Sequence, residues 1–442
     1  MSFLKILAFL NVFIFFGIML FSKMEKNKAF ILFILISFPL QHILLIADFH
    51  VFETIVFVFY FVFYKRQKVK NNETIAYGFL LAFLALVVII GFIFSTVDID
   101  SENLIKFVSI FPIFIFSKIL IDECISDPAF LVSILNCFRF MLGFALFFLF
   151  LQMALGLNVS LVKTLNPNVI IKNSIRYPGI FSDPQQFSQF LGACSFLCLI
   201  KFDDQKLPKI NLILFGLSVI SIMAAGGRAG LMGWVLGLLF LLFFSKPKYK
   251  IAIIISAAII FFIALNFQDK LAIFNRGSDL NETYDFRAGI WADAIDIFVN
   301  NPYWGVGLGN YGKYVFLHYP DQIWVINNEI SSFDQPESGY LLFLTELGAL
   351  GFATIFIFVM FPIIQTFYYY LKTKDLNFIL MMSSIMCWLI GFYSTYSLGD
   401  VRIKILVGSI ISFMIAYRTI LNSNEEADEE KEDMNNLQYL EN

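Results

Sequence analysis

The chain has 442 residues, 59% of them apolar and only 15% charged, with a mean hydropathy of +0.77. A soluble domain carries roughly 45–50% apolar and about 25% charged residues, so a soluble protein is excluded. The net charge of −3 offers no broad basic surface, which excludes nucleic acid as a partner.

The apolar residues gather in long blocks, and a helix crossing a bilayer core needs about 20 of them. Thirteen candidate spans follow in chain order, at 3–21, 29–47, 51–64, 75–95, 104–121, 129–155, 187–202, 209–225, 229–244, 250–267, 340–370, 376–396 and 402–420. The third is short and carries Glu53, so twelve is the alternative count. The first block lacks a small-residue cleavage site and is followed by Lys23, Lys26 and Lys28, which reads as a retained span rather than a signal peptide.

Lys and Arg in short connections resist translocation and set orientation. The basic connections are 22–28, 65–70 (Lys65, Arg66, Lys68, Lys70), 245–250 (Lys246, Lys248, Lys250) and 372–374 (Lys372, Lys374). Thirteen spans with an external N-terminus place all four inside. The expected architecture is an all-α, polytopic integral membrane protein with two long external loops. It divides into N-terminal transmembrane helices (1–155), an external loop (156–186), helices with a turn at Arg228 (187–267), a large external loop (268–339), C-terminal helices (340–420) and an acidic cytoplasmic tail (421–442). The run from Glu425 to Asp433 suggests that this tail is disordered.

The cytoplasmic connections are short and hold no Gly-rich phosphate loop, so no nucleotide-binding domain is expected. Cys124, Cys137, Cys194, Cys198 and Cys387 all sit in or beside apolar blocks, and His42, His50 and His318 are scattered. Neither set suggests a metal site, and no cofactor is expected. Asp98-Ile-Asp100 reads as a solvated acidic loop.

Chemistry is therefore sought in the external loops. Tyr284–Val299 reads as an amphipathic helix, with Phe286, Ile290, Trp291, Ala294, Ile297 and Phe298 on one face and Asp285, Asp293 and Asp296 opposite. Arg287 falls on the apolar side. A guanidinium there suits either a snorkelling anchor or an anion ligand at the membrane surface. Arg228 interrupts an almost loopless turn, Ala224-Ala-Gly-Gly-Arg-Ala-Gly230, and a charge at such a turn is costly without a partner. Arg176 lies in the other long loop, just before a span and near Asp183. Three arginines on one membrane face suit a diphosphate read by forked donors. Trp291, Trp304 and Trp324 could stack on sugar rings or form an interfacial belt. Gly305, Gly307 and Gly309 read as a tight interfacial turn. Glu337, in Asp334-Gln-Pro-Glu-Ser-Gly-Tyr340, stands where the large loop re-enters the membrane, and partial burial would suit it to accept a hydroxyl proton.

Over about 176–355 the chain resembles the O-antigen ligase and O-antigen polymerase superfamily of bacterial envelope proteins. The resemblance rests on Arg176-Tyr-Pro-Gly-Ile-Phe-Ser-Asp-Pro184, Gly-Gly-Arg228-Ala-Gly, Arg287-Ala-Gly-Ile-Trp291, Pro302-Tyr-Trp-Gly-Val-Gly-Leu-Gly-Asn310, Glu337-Ser-Gly-Tyr-Leu341 and Glu346-Leu-Gly-Ala-Leu-Gly351. It implies a GT-C-like, metal-independent glycosyltransferase of the inner (plasma) membrane, working on its periplasmic or extracellular face. The implied donor is an undecaprenyl diphosphate-linked oligosaccharide; membrane lipid and a chain-length regulator are the other implied partners. By motif, Arg228 and Arg287 would bind the donor diphosphate, with Arg176 a third ligand. Trp291, Asp183 and Tyr340 would contribute to substrate binding, and Glu337 would be the base. Ligases typically carry a His-Asn pair where Glu337 and Ser338 stand, and this departure favours a polymerase of repeat units for O-antigen, capsule or exopolysaccharide. The alternatives are a ligase acting on a lipid A core and a lipid-linked oligosaccharide flippase. A flippase should line a central cavity with charge between two similar halves, and no inverted repeat is visible.

Overall fold

The computed structural model describes residues 3–46, 48–65, 72–171, 174–202, 208–266, 271–274, 280–326 and 329–441. Arg66, Lys68, Lys70, Lys270 and Arg276 lie outside these segments. The helices are α1 (Phe3–Phe21), α2 (Lys26–Ile36), α3 (Val51–Val58), α4 (Asn72–Phe94), α5 (Ser101–Val108), α6 (Phe111–Ser126), α7 (Phe130–Leu155) and α8 (Pro184–Leu197). They continue as α9 (Lys209–Ala225), α10 (Arg228–Phe244), α11 (Pro247–Asn266), α12 (Leu280–Asn300), α13 (Tyr311–His318), α14 (Gly339–Thr373), α15 (Leu376–Ser394) and α16 (Val401–Glu441). The only strands among the described residues form three two-stranded hairpins, at 44–50, 170–175 and 323–332.

The fold is all-α and polytopic. Each of the thirteen candidate spans overlaps helix at least in part, and seven helices among the described residues are long and apolar enough to cross a membrane. The apolar helices Val51–Phe63, Lys209–Ala225 and Arg228–Phe244 are shorter. The second candidate span, 29–47, is a difference of kind: α2 stops at Ile36, and Pro39 lies in a 3₁₀ turn that leads into the first hairpin. Proline lacks the donor a continuing helix needs there. The acidic tail also differs from expectation, because its backbone continues α16 to Glu441. A helix already nucleated in the bundle propagates readily through Glu, Ala and Lys.

Two ends of the bundle can be traced by their polar contacts. At one, Lys28 pairs with Asp127 at 2.8 Å, Asn27 binds the Lys65 carbonyl and the buried Glu123, and Asn377 binds Lys201. At the other, Ser95 donates to Val306, Lys313 pairs with Asp100 at 2.7 Å, and Arg402 donates to Ile180. Both long loops sit at this second end.

The helices that carry the loops pack closely. α10 lies against α15 and α8, where a Cβ on Gly233 would come within 2.6 Å of the Cys387 carbonyl oxygen and one on Gly237 within 2.9 Å of that of Ser383. Small residues let backbones approach, and the Ser383 and Ser384 hydroxyls bond across to the Gly237 and Ala193 carbonyls. A second, smaller apolar cluster joins Ala294 and Ile297 of α12, Val306, Tyr311 and Val315 of the loop and α13, and Leu342 of α14. It seats the large loop on the mouth of the bundle.

Candidate active site

The large loop is bonded into α14 itself. Gly348, within α14, has φ 63° and ψ −171°, a non-helical conformation open essentially to glycine alone. The break frees backbone groups that the loop then satisfies. Val306 and Gly307 N–H donate to the Thr345 and Glu346 carbonyls at 2.9 and 3.0 Å, while Ala349 N–H donates to the Pro302 carbonyl at 2.8 Å. Gly305, Gly307 and Gly309 all have positive φ, and the buried Glu346 carboxylate accepts from the Tyr311 N–H. The tight turn read from the glycines is thus a clamp on a broken helix.

Glu337 stands on the two-residue link between Pro336 and the start of α14. It is one of the few non-glycine residues with positive φ, at 51°. Burial raises its carboxyl above the usual carboxylate range. Arg287 opposes that rise, and the charges of Asp183 and Asp334 add to it. Arg287, on α12, donates Nη2 to Glu337 Oε2 at 3.4 Å, with both side chains about a quarter exposed. The apolar-side position read for Arg287 therefore faces a carboxylate at the re-entry point.

Arg228 opens α10, immediately after the left-handed cap Gly226 and the N-cap Gly227. Its guanidinium is partly exposed, beside a helix N-terminus whose first N–H groups have no partner within the helix. Arg176 is fully buried. It donates Nε to the Ala225 carbonyl at 3.2 Å, and its side chain lies against Gly226. Arg176 therefore holds the turn that presents Arg228.

Asp183 connects these halves. It caps α8 by accepting from the Gln185 N–H at 2.7 Å, and its charge is felt by Glu337. One turn on, Ser188 fills the space beside Gly227 and Gly230 at the start of α10. Trp291 lies edge-on to Tyr393 at 5.2 Å, and its buried indole N–H meets no acceptor among the described residues. Tyr340 is engaged with the bundle: its hydroxyl donates to the Leu389 carbonyl at 2.8 Å. Asp100 caps α5 and pairs with Lys313, which holds its carboxyl below the usual range.

Residues 213–356 match the family model described as O-Antigen ligase. No curated protein matches the chain. The O-antigen ligase match runs from α9 into α14, past the Gly348 break, and contains Arg228, Arg287, Trp291, Glu337 and Tyr340. Arg176 and Asp183 precede it. Over residues 213–356 the resemblance read from the motifs is thereby borne out: this part of the chain is similar to the O-antigen ligase family, in a chain whose described residues hold seven helices long and apolar enough to cross a membrane.

Sequence reading missed the residues that hold the 176–183 loop on α7 and α16. Gln152 on α7 makes a two-way pair with the Gly179 backbone at 2.9 and 3.0 Å. Arg402 pairs with Asp400 and stacks at 4.2 Å over Phe181. The available signal was the Asp400-Val-Arg402 triplet, a charged pair lodged between two apolar spans.

Proposed function

We propose that the protein is a polymerase that joins undecaprenyl diphosphate-linked oligosaccharide repeat units by glycosyl transfer at the loop-bearing face. The carrying observation is the Arg287–Glu337 pair at the membrane re-entry point. It places a carboxyl raised by burial next to a guanidinium that has four further N–H donors to offer. Arg287 and Arg228 hold the donor diphosphate, helped by the N-terminus of α10. The acceptor hydroxyl gives its proton to Glu337 and its oxygen attacks the anomeric carbon. The bond from that carbon to the diphosphate oxygen breaks, and the electron pair leaves on the diphosphate, where the arginines stabilise it. Trp291 offers an aromatic face to a sugar. The chemistry needs no metal ion, because a diphosphate is already a good leaving group.

The setting is the inner (plasma) membrane, with the reaction on the periplasmic or extracellular side. Lys28, Lys246, Lys372 and Lys374 lie at the end of the bundle opposite the loops, as the preference for internal basic connections expects. Glu337 and Ser338, where a ligase would carry His and Asn, favour polymerisation over ligation. The test is purified protein in liposomes given a defined lipid-diphosphate repeat unit on both sides. Lengthened chains support the polymerase; transfer only to an added second acceptor makes it a ligase; translocation without transfer makes it a flippase.

A further inference from the structure

A cavity of about 1050 Å³ lies between α4, α6, α14 and α16, at the upper end of the range for small-molecule sites, about 300–1,000 Å³. It runs the depth of the bundle, from Thr74 and Lys118 at the end opposite the loops to Gly309 and Asp334 beneath the large loop. Apolar side chains make up most of its walls, among them Leu81, Ile113, Val407 and Ile411, with Lys118 and Lys404 also lining it. Phe358 forms part of the floor, between Tyr77 at 5.5 Å and Phe114 at 4.8 Å. α4 packs on α14 and α6 on α16, while α4 and α6 make little contact with each other among the described residues. The cavity is therefore a groove with a gap between two helices on the side where lipid would lie.

The mouth of this groove meets the reaction centre from behind. Asp334, Gln335, Leu342 and Glu346 line it, so the segment that carries Glu337 divides the groove from the helices bearing Arg228 and Asp183. On the arginine side, α8, α10 and α15 pack closely at their glycines. We infer that the groove holds the hydrocarbon tail of the lipid-linked acceptor, which reaches Glu337 from the side opposite the donor diphosphate. This inference rests on the proposed glycosyl transfer. A direct displacement requires nucleophile and leaving group on opposite faces of the anomeric carbon, and the arginines occupy one of them. At the rim, the exposed Asp334 offers acceptors to sugar hydroxyls. Lys106 is half exposed and held by Glu102 at 2.8 Å, a surface pair of the kind that contributes little. It can exchange that carboxylate for the acceptor's anionic linkage.

The test uses Gly78→Trp and Leu81→Trp, both on the α4 wall; a Cβ at Gly78 would enter open space. In liposomes, each variant should raise the KM for lipid-linked acceptor at least tenfold and leave the donor KM unchanged. With the same glycan supplied as a tail-less methyl glycoside, the variants should match the wild type. Equal losses with both acceptors, a raised donor KM, or no change with the lipid-linked acceptor would overturn the assignment. If the wild type itself transfers no sugar, the enzymatic reading falls and the groove is judged by labelling. A polyprenyl-linked glycan with a diazirine in its tail should then mark α4, α6 and α16, and lose that labelling in Leu81→Trp. Labelling elsewhere, or equal labelling by a photoreactive phosphatidylcholine, would show that the groove takes no such tail.

Discussion

At the scale of single residues, Glu337 concentrates the argument. A non-glycine residue in the left-handed region costs about 1–2 kcal/mol, and here the backbone turns a partly buried carboxylate toward Arg287. If Glu337 is the base, Glu337→Gln keeps shape and hydrogen bonding but removes the proton acceptor. Turnover should fall by about 10²–10⁴ while donor binding persists; near-normal turnover would move the role to another group. The charges around it set a pH test. Burial, Asp183 and Asp334 raise the carboxyl and Arg287 lowers it, so the acid limb of kcat/KM should lie above the range of an ordinary carboxylate. Removing a neighbouring negative charge makes ionisation easier, and Asp334→Asn should move that limb to lower pH; a limb that stays in place would detach it from Glu337. The arginines separate by burial. Arg228→Lys should lower activity strongly with little change in thermal stability, since Lys loses the fork but keeps the charge. Arg176→Lys should lower both, because the buried Nε–Ala225 bond holds the α9–α10 turn. All three arginines were visible as charges beside apolar blocks, but which one is buried depends on Gly226 folding back over Arg176, a contact that spacing does not encode.

At the scale of elements, α12 and α14 show where sequence reading succeeds and where it stops. The 3.6-residue pattern over 284–299 gave both the helix and its buried face, because Ile290, Ala294 and Ile297 answer to a single local period. α14 looks from its hydropathy like one uninterrupted span. Its break at Gly348 depends on partners in the 302–307 turn, far earlier in the chain, and a glycine inside an apolar helix gives only a faint warning of it. A Cβ at Gly348 would lie 2.3 Å from the Tyr303 backbone, in a conformation that costs a side-chain-bearing residue about 1–3 kcal/mol. Gly348→Ala should therefore release the 302–307 turn, seen as faster proteolysis or hydrogen exchange there and a lower melting temperature. Unchanged protection of that turn would mean that α14 accommodates the methyl without losing the clamp. The helical tail after Ser423 shows the converse, in that composition alone underrated a helix that begins inside the bundle.

For the whole molecule, orientation is the property most open to a direct test. All five native cysteines are buried, so engineered thiols can be labelled against little background. Tyr303→Cys, at an exposed loop position, should react with an impermeant reagent added outside intact cells, and Lys374→Cys should react only after the membrane is opened. The reverse pattern would place the loops in the cytoplasm and end the envelope reading. The long apolar helices were legible because burial in lipid demands long apolar runs. The groove between α4 and α6 was not, since it arises from which helices fail to meet. The bond exchange at Gly348 has a consequence for how the chain is made. The 302–307 turn is synthesised before α14, so its Val306 and Gly307 N–H groups gain their Thr345 and Glu346 acceptors only when that helix arrives. Until then the turn has contacts from earlier segments, Ser95 on the Val306 carbonyl and Asn103 on that of Leu308, but not its bonds to α14. Completion of the turn is therefore timed by a later helix, and a ribosome paused near residue 340 would leave it without that half of its clamp.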